Sequence, residues 1–475
     1  MRRDVSRRDF LAASGGVLAA GALGAAIGGC STPAAQQATG GAQATNRLLL
    51  KGGCVLSLDP SVGDFEVADV LIEGSRISAV RRDIDGGRAL TIDARNMIVM
   101  PGFVDTHRHM WQGSLRNILP NGLLSDYQRD ITGAARAVFR PEDARIGDLV
   151  TALGALNAGV TTVLDWSHVG NSPAHTDAAI QGLSQAGIRA VYAFGPGSGP
   201  DVKHPDDIRR LRKQHFASSD SLLTLALAGG LDAAQWSVAR DVGARISVHV
   251  NGGLDVPQSA MGPDVTYIHC TGLQAEAWKR IAATRGHVSI ACPIEMEMGH
   301  GVPPVMEALE YGIRPSLSVD VETQMPGDMF TQMRAVFTLQ RMLALQRART
   351  AGGQDSKLLT AKDVIEFATM AGARANGLDS KIGTLTPGKE ADVILLRRDL
   401  INVLPFNNAY GAIIQAMDTS NVDTVIVGGS VKKRGGHLVG IDLEKIREAA
   451  EKSRDYIISK IGWNKTVLGR DRAGH

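Results

Sequence analysis

The stretch GFVDTHRHMWQG, Gly102 to Gly113, joins an apolar run to two histidines that are two residues apart, and it directly follows a turn-forming Pro101. On a β-strand, residues two apart project to the same face, so His107 and His109 can both point into one space and grip one metal ion. The same spacing also occurs where ordinary polar residues lead from a strand into a loop. The stretch alone leaves both interpretations open.

GFVDTH is the first of eight short apolar runs that alternate with amphipathic helical stretches between residues 100 and 379. This alternation is typical of βα units and a parallel sheet. Eight consecutive units favour a closed (β/α)8 barrel, or TIM barrel, over an open doubly wound sheet, and such barrels place their chemistry at the C-terminal strand ends. The other seven predicted strands are GVTTVLDW (159–166), IRAVYAF (188–194), LLTLALA (222–228), RISVHV (245–250), VTYIHC (265–270), HVSIACP (287–293) and RPSLSVD (314–320).

Short β-like runs separated by Gly, Asp and Pro lie on both sides of this region, at residues 46–99 and 380–440. We expect them to form one small β-sandwich that is built from both chain ends and flanks the barrel. A charged amphipathic helix is predicted from Asp442 to Ile461, within a C-terminal segment of residues 441–475. The predicted fold class is therefore α/β.

Several further polar residues fall at the ends of the predicted barrel strands. His249 ends strand five, His269 ends strand six and Asp320 ends strand eight. Imidazole nitrogens together with a carboxylate oxygen are ligands that zinc, iron or manganese accepts. These positions favour the metal-site interpretation of His107 and His109, with zinc as the first choice.

The sequence resembles the metal-dependent amidohydrolase superfamily, in particular the branch of cytosine deaminase and atrazine chlorohydrolase. The resemblance covers nearly the whole chain after residue 45 and rests on PGFVDTHRH, AGVTTVLDW, VHVNGG, YIHC, SVD, ATMAGARANGL (368–378) and IGTLTPGKEADVIL (382–395). Members of this family are (β/α)8 barrels flanked by a β-sandwich. The resemblance implies that His269 lies over the bound water or the substrate carbonyl. The metal ligands that it implies are His107, His109, His249 and Asp320.

Two departures from the family pattern bear on the mechanism. Family members with two metals usually carry a carbamylated Lys at the end of strand four, and Leu222–Gly230 holds no Lys, which predicts one metal ion. Deaminases of this branch usually read His-x-x-Glu at strand five, where the Glu protonates the leaving nitrogen, whereas this chain has Gly252 there. An amine leaves poorly unless it is protonated, so another catalytic acid is needed. Glu295 and His300, after strand seven, are the main candidates.

Substrate contacts are expected on the loops at the same mouth of the barrel. The candidates are Trp111 and Gln112 in the first βα loop, His168 after strand two, and Glu322 after strand eight, which is also within reach as an acid. Packing or structural hydrogen bonds are the alternative for each of them. Strand alternation aims Arg108 away from the metal, so we expect a structural ion pair there.

The predicted enzyme is a metal-dependent hydrolase that cleaves a non-peptide carbon–nitrogen bond of a small cyclic amide, amidine or amino-heterocycle. In this mechanism the metal activates water, Asp320 accepts the water proton, and His269 helps to stabilise the developing oxyanion. Two alternatives stay open. A non-nitrogen leaving group, such as halide or thioether, would explain the missing Glu, and a catalytically inactive exported protein would use the barrel to capture a ligand.

The charge balance and the cysteines limit the other possibilities. Lys and Arg total 51 against 49 for Asp and Glu, so the chain has no basic field that would attract a nucleic acid. The expected partner is a small-molecule substrate, and assembly into a homo-oligomer stays open. Beyond residue 45 only Cys54, Cys270 and Cys292 remain, an odd and widely spaced set that argues against a disulfide framework.

The N-terminus resembles a twin-arginine signal peptide over residues 1–30. Arg7 and Arg8 precede a mild apolar stretch rich in Gly and Ala. IGGC, Ile27 to Cys30, is similar to a lipobox, in which Cys30 would be lipidated after cleavage, and residues 31–45 form a small-residue linker. This pattern predicts that the protein is exported already folded. It would then be either free in the periplasm or anchored to the membrane as a lipoprotein.

Overall fold

The structure is a computed structural model that describes residues 47–350 and 357–463. The predicted signal peptide, Cys30 and the linker up to residue 45 lie outside these residues. The strands are β1 (Arg47–Val55), β2 (Phe65–Glu73), β3 (Arg76–Arg81), β4 (Leu90–Asp93), β5 (Met97–Pro101), β6 (Phe103–Arg108), β7 (Val160–Ser167), β8 (Arg189–Phe194), β9 (Leu223–Gly229), β10 (Arg245–Asn251), β11 (Val265–Thr271), β12 (His287–Ile290), β13 (Ser316–Leu317), β14 (Val393–Arg397), β15 (Val422–Val427), β16 (Ser430–Arg434) and β17 (His437–Leu438).

The α-helices are α1 (Leu124–Tyr127), α2 (Arg136–Val138), α3 (Pro141–Asn157), α4 (Pro173–Ala186), α5 (Ile208–His215), α6 (Ala233–Asp241), α7 (Ala275–Ala283), α8 (Cys292–Glu297), α9 (Val305–Glu310), α10 (Met329–Thr350), α11 (Ala361–Glu366), α12 (Gly372–Ala375), α13 (Ala409–Gln415) and α14 (Leu443–Lys460). Short 3₁₀ helices span Met110–Leu115, Gln258–Ala260 and Thr419–Asn421, and π-helical segments span Gln128–Ala135 and Phe367–Ala371. None of the described helices combines the length and the apolar character needed to cross a membrane.

Strands β6 to β13 form an eight-stranded sheet in which each strand pairs in parallel with the next along the chain. The sheet closes at Asp320, which bridges to Arg108 in parallel. Asp320 N donates to His107 O over 3.0 Å, and His109 N donates to Asp320 O over 2.8 Å. The predicted (β/α)8 barrel is therefore confirmed.

Alternation along the strands separates the barrel interior from the helix layer. On β7, Leu164 and Trp166 belong to an apolar cluster inside the barrel, whereas Val163 belongs to the larger core toward the helices. All eight residues of β7 are buried, because both faces of a barrel strand are covered. Side chains on the same face as Trp166 therefore point into the barrel, and those near the C-terminal ends of the strands line its mouth.

The last two barrel strands are shorter than predicted. Strand β12 ends at Ile290, and Cys292 and Pro293 begin α8, where Pro fits the first turn because it has no N–H to donate. Strand β13 is reduced to Ser316–Leu317, and Asp320 leaves the extended conformation with a φ of 70°.

Strands from both chain ends form a separate nine-stranded sheet with the order β17-β16-β15-β14-β5-β1-β2-β3, and β4 also pairs with β1. This confirms that one β lobe is built from residues before and after the barrel. It has its own apolar cluster, which includes Leu50, Val70 and Ile426. Arg189 links the two parts: its Nε donates to Asp392 over 2.8 Å.

The remaining features agree with the sequence pattern. Helix α14 begins after Asp442, whose side chain accepts a hydrogen bond from Lys445 N. Cys54, Cys270 and Cys292 are buried and free, so the described part of the chain holds no disulfide.

Candidate metal and catalytic site

The five residues predicted at the strand ends meet at the C-terminal mouth of the barrel. They are His107 on β6, His109 directly after it, His249 on β10, His269 on β11 and Asp320 after β13. All except the half-buried His249 are at most 5% exposed. Burying polar and charged groups costs free energy unless they pair with each other or bind a metal.

Four of these residues form a compact cluster. His107, His249, His269 and Asp320 each offer one ligand atom, and the four atoms lie within 4.8 Å of one another. His107 Nε2 is 3.0 Å from Asp320 Oδ1 and 3.1 Å from His249 Nε2. His107 Nε2 can carry at most one proton, so it cannot donate a hydrogen bond to both Asp320 Oδ1 and His249 Nε2. This donor set fits zinc or a similar divalent metal.

His109 lies at the edge of this cluster, and its ring is oriented toward it. His109 Nε2 is 3.3 Å from Asp320 Oδ1, and Nδ1 is 2.9 Å from the carbonyl oxygen of Trp166. A carbonyl only accepts, so Nδ1 carries the proton and Nε2 presents its lone pair to the cluster. Metal-binding histidines are commonly held in this way, which supports His109 as a ligand.

The protonation states of His107, His249 and Asp320 also suit a cation. For His269, in contrast, burial is outweighed by the hydrogen bond with Glu295 and by the charges of Asp320 and Glu295, which raise its pKa. Burial lowers the pKa of His107 to about 3 and the pKa of His249 well below its ordinary value, so both rings are neutral at pH 7. Burial alone would raise the pKa of Asp320, but its contacts with the neighbouring histidines, with the hydrogen bond from His107 as the largest of them, lower it well below its usual range. Neutral imidazoles and an ionised carboxylate are the forms that bind a divalent metal.

Backbone strain is concentrated at the same strand ends. His269, Cys270 and Asp320 have φ angles of 68°, 58° and 70°, in the left-handed region that side chains with a Cβ rarely adopt. Each such conformation costs on the order of 1–3 kcal/mol and persists where surrounding contacts enforce it. Since Asp320 also closes the barrel, the hydrogen bonds of its backbone enforce the position of its carboxylate.

Glu295 and His300, the two candidate acids, both lie beside His269. Glu295 Oε1 accepts from Ala291 N over 2.8 Å and is 3.1 Å from His269 Nδ1, whereas the buried Oε2 has no hydrogen-bond partner among the described residues. The ring centroids of His300 and His269 are 4.6 Å apart, and neither buried nitrogen of His300 has a partner in that part of the chain. The structure therefore brings both candidates to one side of the cluster.

Gly252, at the position where the family carries its Glu, is exposed and has a φ of 76°. A Cβ built there would meet no heavy atom within 4 Å. The space that the missing acid would enter is open.

A charge network involving Arg108 replaces one predicted substrate contact. The fully buried Arg108 donates through Nε to Asp105 over 2.7 Å and through Nη1 to Glu322 Oε1 over 2.6 Å, which confirms its structural ion pair. The other oxygen of Glu322 accepts from Arg116 Nε. Because guanidinium groups engage both oxygens of Glu322, the structure does not support Glu322 as a substrate contact.

Trp111 is buried, and its indole contacts His168 at the mouth of the barrel. Trp111 is 0% exposed and packs edge-on against Phe139, with ring centroids 4.8 Å apart. Its Nε1 donates to His168 Nδ1 over 3.2 Å. His168 Nδ1 also lies 3.3 Å from the carbonyl oxygen of Trp166. When Nδ1 accepts from Trp111, the proton of the neutral ring is on Nε2. The His168 ring lies 4.3 Å from the His109 ring, so His168 is placed at the mouth as predicted, and the direct contact predicted for Trp111 is not supported.

Gln112 is fully buried, and its Nε2 donates to Tyr127 OH over 2.5 Å, while its Oε1 has no partner in the described part of the chain. The ring of Tyr127 lies 6.5 Å from that of His109. The charge of Asp320 adds to the effect of burial in raising the pKa of Tyr127. Gln112 and Tyr127 therefore flank the cluster together.

Sequence reasoning missed Tyr127 and Trp166. The Trp166 ring lies 4.3 Å from that of His249, and its Nε1 donates to Ser247 O over 3.2 Å. Strand alternation could have found Trp166, because it shares a strand face with the position of His168. No comparable signal marks Tyr127, which the short helix α1 brings to the cluster.

Comparison with known proteins agrees with this geometry. The model of the amidohydrolase family matches residues 98–432, more than half of the chain, and the chain therefore belongs to the amidohydrolase family. This membership confirms the predicted class of enzyme, a hydrolase that acts on non-peptide carbon–nitrogen bonds.

Two relatives show what this chain is similar to within the family. The 5'-deoxyadenosine deaminase of Methanobrevibacter smithii is 25% identical over 86% of this chain and 97% of its own length. The 5-methylthioadenosine/S-adenosylhomocysteine deaminase of Carboxydothermus hydrogenoformans is 27% identical over 85% of this chain and 97% of its own length.

Two solved structures share the fold. An adenosine deaminase from Xanthomonas campestris with bound zinc has a TM-score of 0.74, with 20% identity over 87% of this chain and 98% of its own. A variant of atrazine chlorohydrolase from Arthrobacter aurescens TC1, complexed with zinc and atraton, has a TM-score of 0.75, with 21% identity over 86% of this chain and all of its own.

Proposed function

We propose that this protein is a metal-dependent deaminase that removes an exocyclic amino group from a heterocycle as ammonia, with water supplying the oxygen that replaces it. The observation that carries this proposal is the convergence of four ligand atoms within 4.8 Å at the mouth of an amidohydrolase barrel. Because two relatives are named as deaminases of adenine nucleosides, such nucleosides are the first substrates to test.

The metal would be held by His107, His249 and Asp320 of this cluster together with His109, whose Nε2 lies 3.3 Å from Asp320 Oδ1 at its edge, with zinc as the first choice. The fourth member of the cluster, His269, would face the substrate. A divalent ion in such a site supplies a Lewis acid that activates water and polarises the reacting carbon.

In this proposal Asp320 accepts the proton of the attacking water. Its Oδ1 lies 3.0 Å from His107 Nε2, and its Oδ2 lies 3.8 Å from His269 Nε2. At that distance Oδ2 makes no hydrogen bond with His269, so it is free to accept a proton on the side of His269. Glu295 holds His269 through Nδ1, which leaves His269 Nε2 facing the same space, where it can hydrogen bond beside the reacting carbon.

The leaving nitrogen needs a proton that Gly252 cannot supply. Glu295 and His300 are the acids on the side of His269, and we assign the delivery of this proton to that pair. The change Glu295→Gln keeps the shape of the side chain and removes its proton. It should lower kcat for ammonia release by about 100-fold or more and leave metal content unchanged.

Metal analysis combined with a substrate panel tests the function. The protein is assayed with adenine nucleosides, amino-heterocycles, lactams and ureides, and ammonia release is scored separately from ring opening. We expect about one equivalent of zinc per chain and ammonia release that a chelator abolishes. Activity that survives complete metal removal on every substrate would refute the mechanism.

Two ligand variants sharpen this test. His249→Ala and Asp320→Asn should each lose bound metal and activity together, whereas the exposed His437→Ala should retain both. Normal metal content and turnover in either ligand variant would show that the ligand set is wrong.

Gly252 gives one reason to keep a second reaction in the panel. Halide and thioether leaving groups need less protonation than an amine, so chlorinated and thioalkylated heterocycles are assayed for release of chloride or thiol. Release of these groups without ammonia release would replace deamination by this alternative.

We also propose that the chain is exported by the twin-arginine route and anchored through Cys30, on the support of the residues 1–30 alone. Replacing Arg7 and Arg8 by Lys should retain the protein in the cytoplasm, and Cys30→Ala should abolish incorporation of labelled palmitate. Cell fractionation of both variants against the unchanged chain measures this.

A further inference from the structure

Arg136 begins α2 near the barrel mouth and is half-buried, yet no acidic side chain in the described part of the chain pairs with it. Its Nε is buried without a hydrogen-bond partner, and its guanidinium makes no ion pair or hydrogen bond with the described residues. Burial lowers its pKa, and no carboxylate offsets this effect. Withdrawing a cation from water without a counter-ion costs free energy.

The other arginines of the same segment are paired. Arg129 contacts Asp126 and Asp130, and Arg140 contacts Asp143, in each case with N–O distances below 3.0 Å. The segment thus neutralises its arginines on both sides of Arg136. Arg136 differs from them because it is half-buried and has no counter-charge among the described residues.

The position of Arg136 is fixed relative to the mouth. Its carbonyl oxygen accepts from Asn171 Nδ2 over 2.9 Å, and Asn171 Oδ1 accepts from Ser198 N over 2.8 Å. These bonds join the loops that follow β6, β7 and β8. The π-helical segment Gln128–Ala135 directly precedes Arg136, and such segments shift the side chains that follow and are frequent at functional sites.

The same hydrogen bond ties Arg136 to the loop that carries His168. Asn171, which donates to the Arg136 carbonyl oxygen, follows His168 by three residues. The ring of His168 lies 4.3 Å from that of His109, so the segment that carries Arg136 borders the catalytic mouth. The charge of Arg136 is also among the smaller causes, after burial, that lower the pKa of His168.

We propose that Arg136 binds an oxyanion, a carboxylate or a phosphate, that the substrate carries away from its reacting carbon–nitrogen bond. A guanidinium offers two parallel N–H donors that match the two oxygens of such a group. The inference deepens the proposed deaminase function and rests on it: the substrate is an aminated heterocycle with an anionic substituent.

Three probes with the same heterocycle test this inference. Adenosine is neutral, adenosine 5'-carboxylate carries a carboxylate, and adenosine 5'-monophosphate carries a phosphate. Binding is measured by calorimetry and ammonia release by steady-state kinetics, for the zinc-loaded wild type and for Arg136→Gln and Arg136→Lys. Arg129→Gln, which removes a paired and exposed arginine of the same segment, is the matched control.

The wild type should bind at least one anionic probe about 10-fold or more tightly than adenosine, and Arg136→Gln should weaken that probe by about 10- to 100-fold, as expected for a charge-assisted hydrogen bond. The loss should appear in KM more than in kcat, and adenosine should change by less than about threefold. Arg136→Lys should lose part of the affinity, and Arg129→Gln none. The anionic probe with the larger loss distinguishes carboxylate from phosphate.

The inference is overturned if the wild type binds neither anion more tightly than adenosine, or if Arg136→Gln weakens all three probes equally. If the binding differences appear while no probe releases ammonia, the anion site stands and the proposed deamination of this heterocycle fails.

Discussion

Two buried carboxyls should make the protein less stable as pH rises from 5 to 8. Asp148 on α3 and Asp165 on β7 are both 0% exposed. Within the described residues, neither oxygen of Asp148 has a hydrogen-bond partner. Asp165 Oδ1 accepts from Met110 N over 3.2 Å, and Asp165 Oδ2 has no partner there. Burial raises the pKa of Asp165 to about 8. Burial and the charge of Asp165 raise the pKa of Asp148 well above its ordinary value.

The direction of the effect depends on which state holds the protons. In the unfolded chain an Asp ionises near pH 4, whereas folded Asp165 keeps its proton up to about pH 8. Between these values the folded state holds one more proton than the unfolded state at Asp165. The free energy of unfolding therefore falls by about 1.4 kcal/mol per pH unit through this carboxyl, and the raised pKa of Asp148 acts in the same direction. The contribution is fully present below pH 4 and is lost as pH rises through the folded pKa.

The variant Asp165→Asn removes the carboxyl whose folded pKa is about 8. Relative to the wild type, it should gain about 4 kcal/mol in free energy of unfolding between pH 5 and pH 8. Urea unfolding followed by circular dichroism at each pH measures this difference. Asp206→Asn, at a side chain that is 85% exposed, should keep the pH slope of the wild type. Parallel stability curves for Asp165→Asn and the wild type would refute the reasoning.

Three further changes have defined outcomes. Glu322→Gln removes a counter-charge from the fully buried Arg108, and urea unfolding should show a loss of about 3 kcal/mol; an unchanged midpoint would contradict the buried ion pair. Trp111→Phe removes the donor to His168 Nδ1 and should reduce kcat/KM by about 3- to 10-fold, and NMR of the His168 ring should show a change of tautomer that a packing defect alone would not cause. Gly252→Glu places an acid in open space at a φ of 76°, so it should cost about 1–2 kcal/mol of stability. Combined with Glu295→Gln, it should raise the rate of ammonia release above that of Glu295→Gln alone. An unchanged rate would argue against an acid that acts from the position of Gly252.

The barrel and its metal cluster could be predicted from the sequence because both follow from short-range patterns. Alternating apolar runs and helical stretches locate the strands, and the strand ends of a closed parallel barrel must meet. His107, His249 and Asp320 therefore come together although they are far apart in the chain. The strained φ of Asp320 left no signal in the sequence, because the long-range hydrogen bonds that close the barrel impose it.

The sequence also predicted that Glu322 lies near a strand end, but it could not show what the side chain contacts. Its partner Arg116 is on the loop after β6, and tertiary hydrogen bonds set the path of that loop, such as Asn117 N to Glu322 O over 2.9 Å and Leu124 N to Met298 O over 3.1 Å. The same loop carries the unpaired Arg136. Strand periodicity therefore predicts the groups that perform the chemistry, whereas the residues that select the substrate depend on loop contacts that no local pattern encodes.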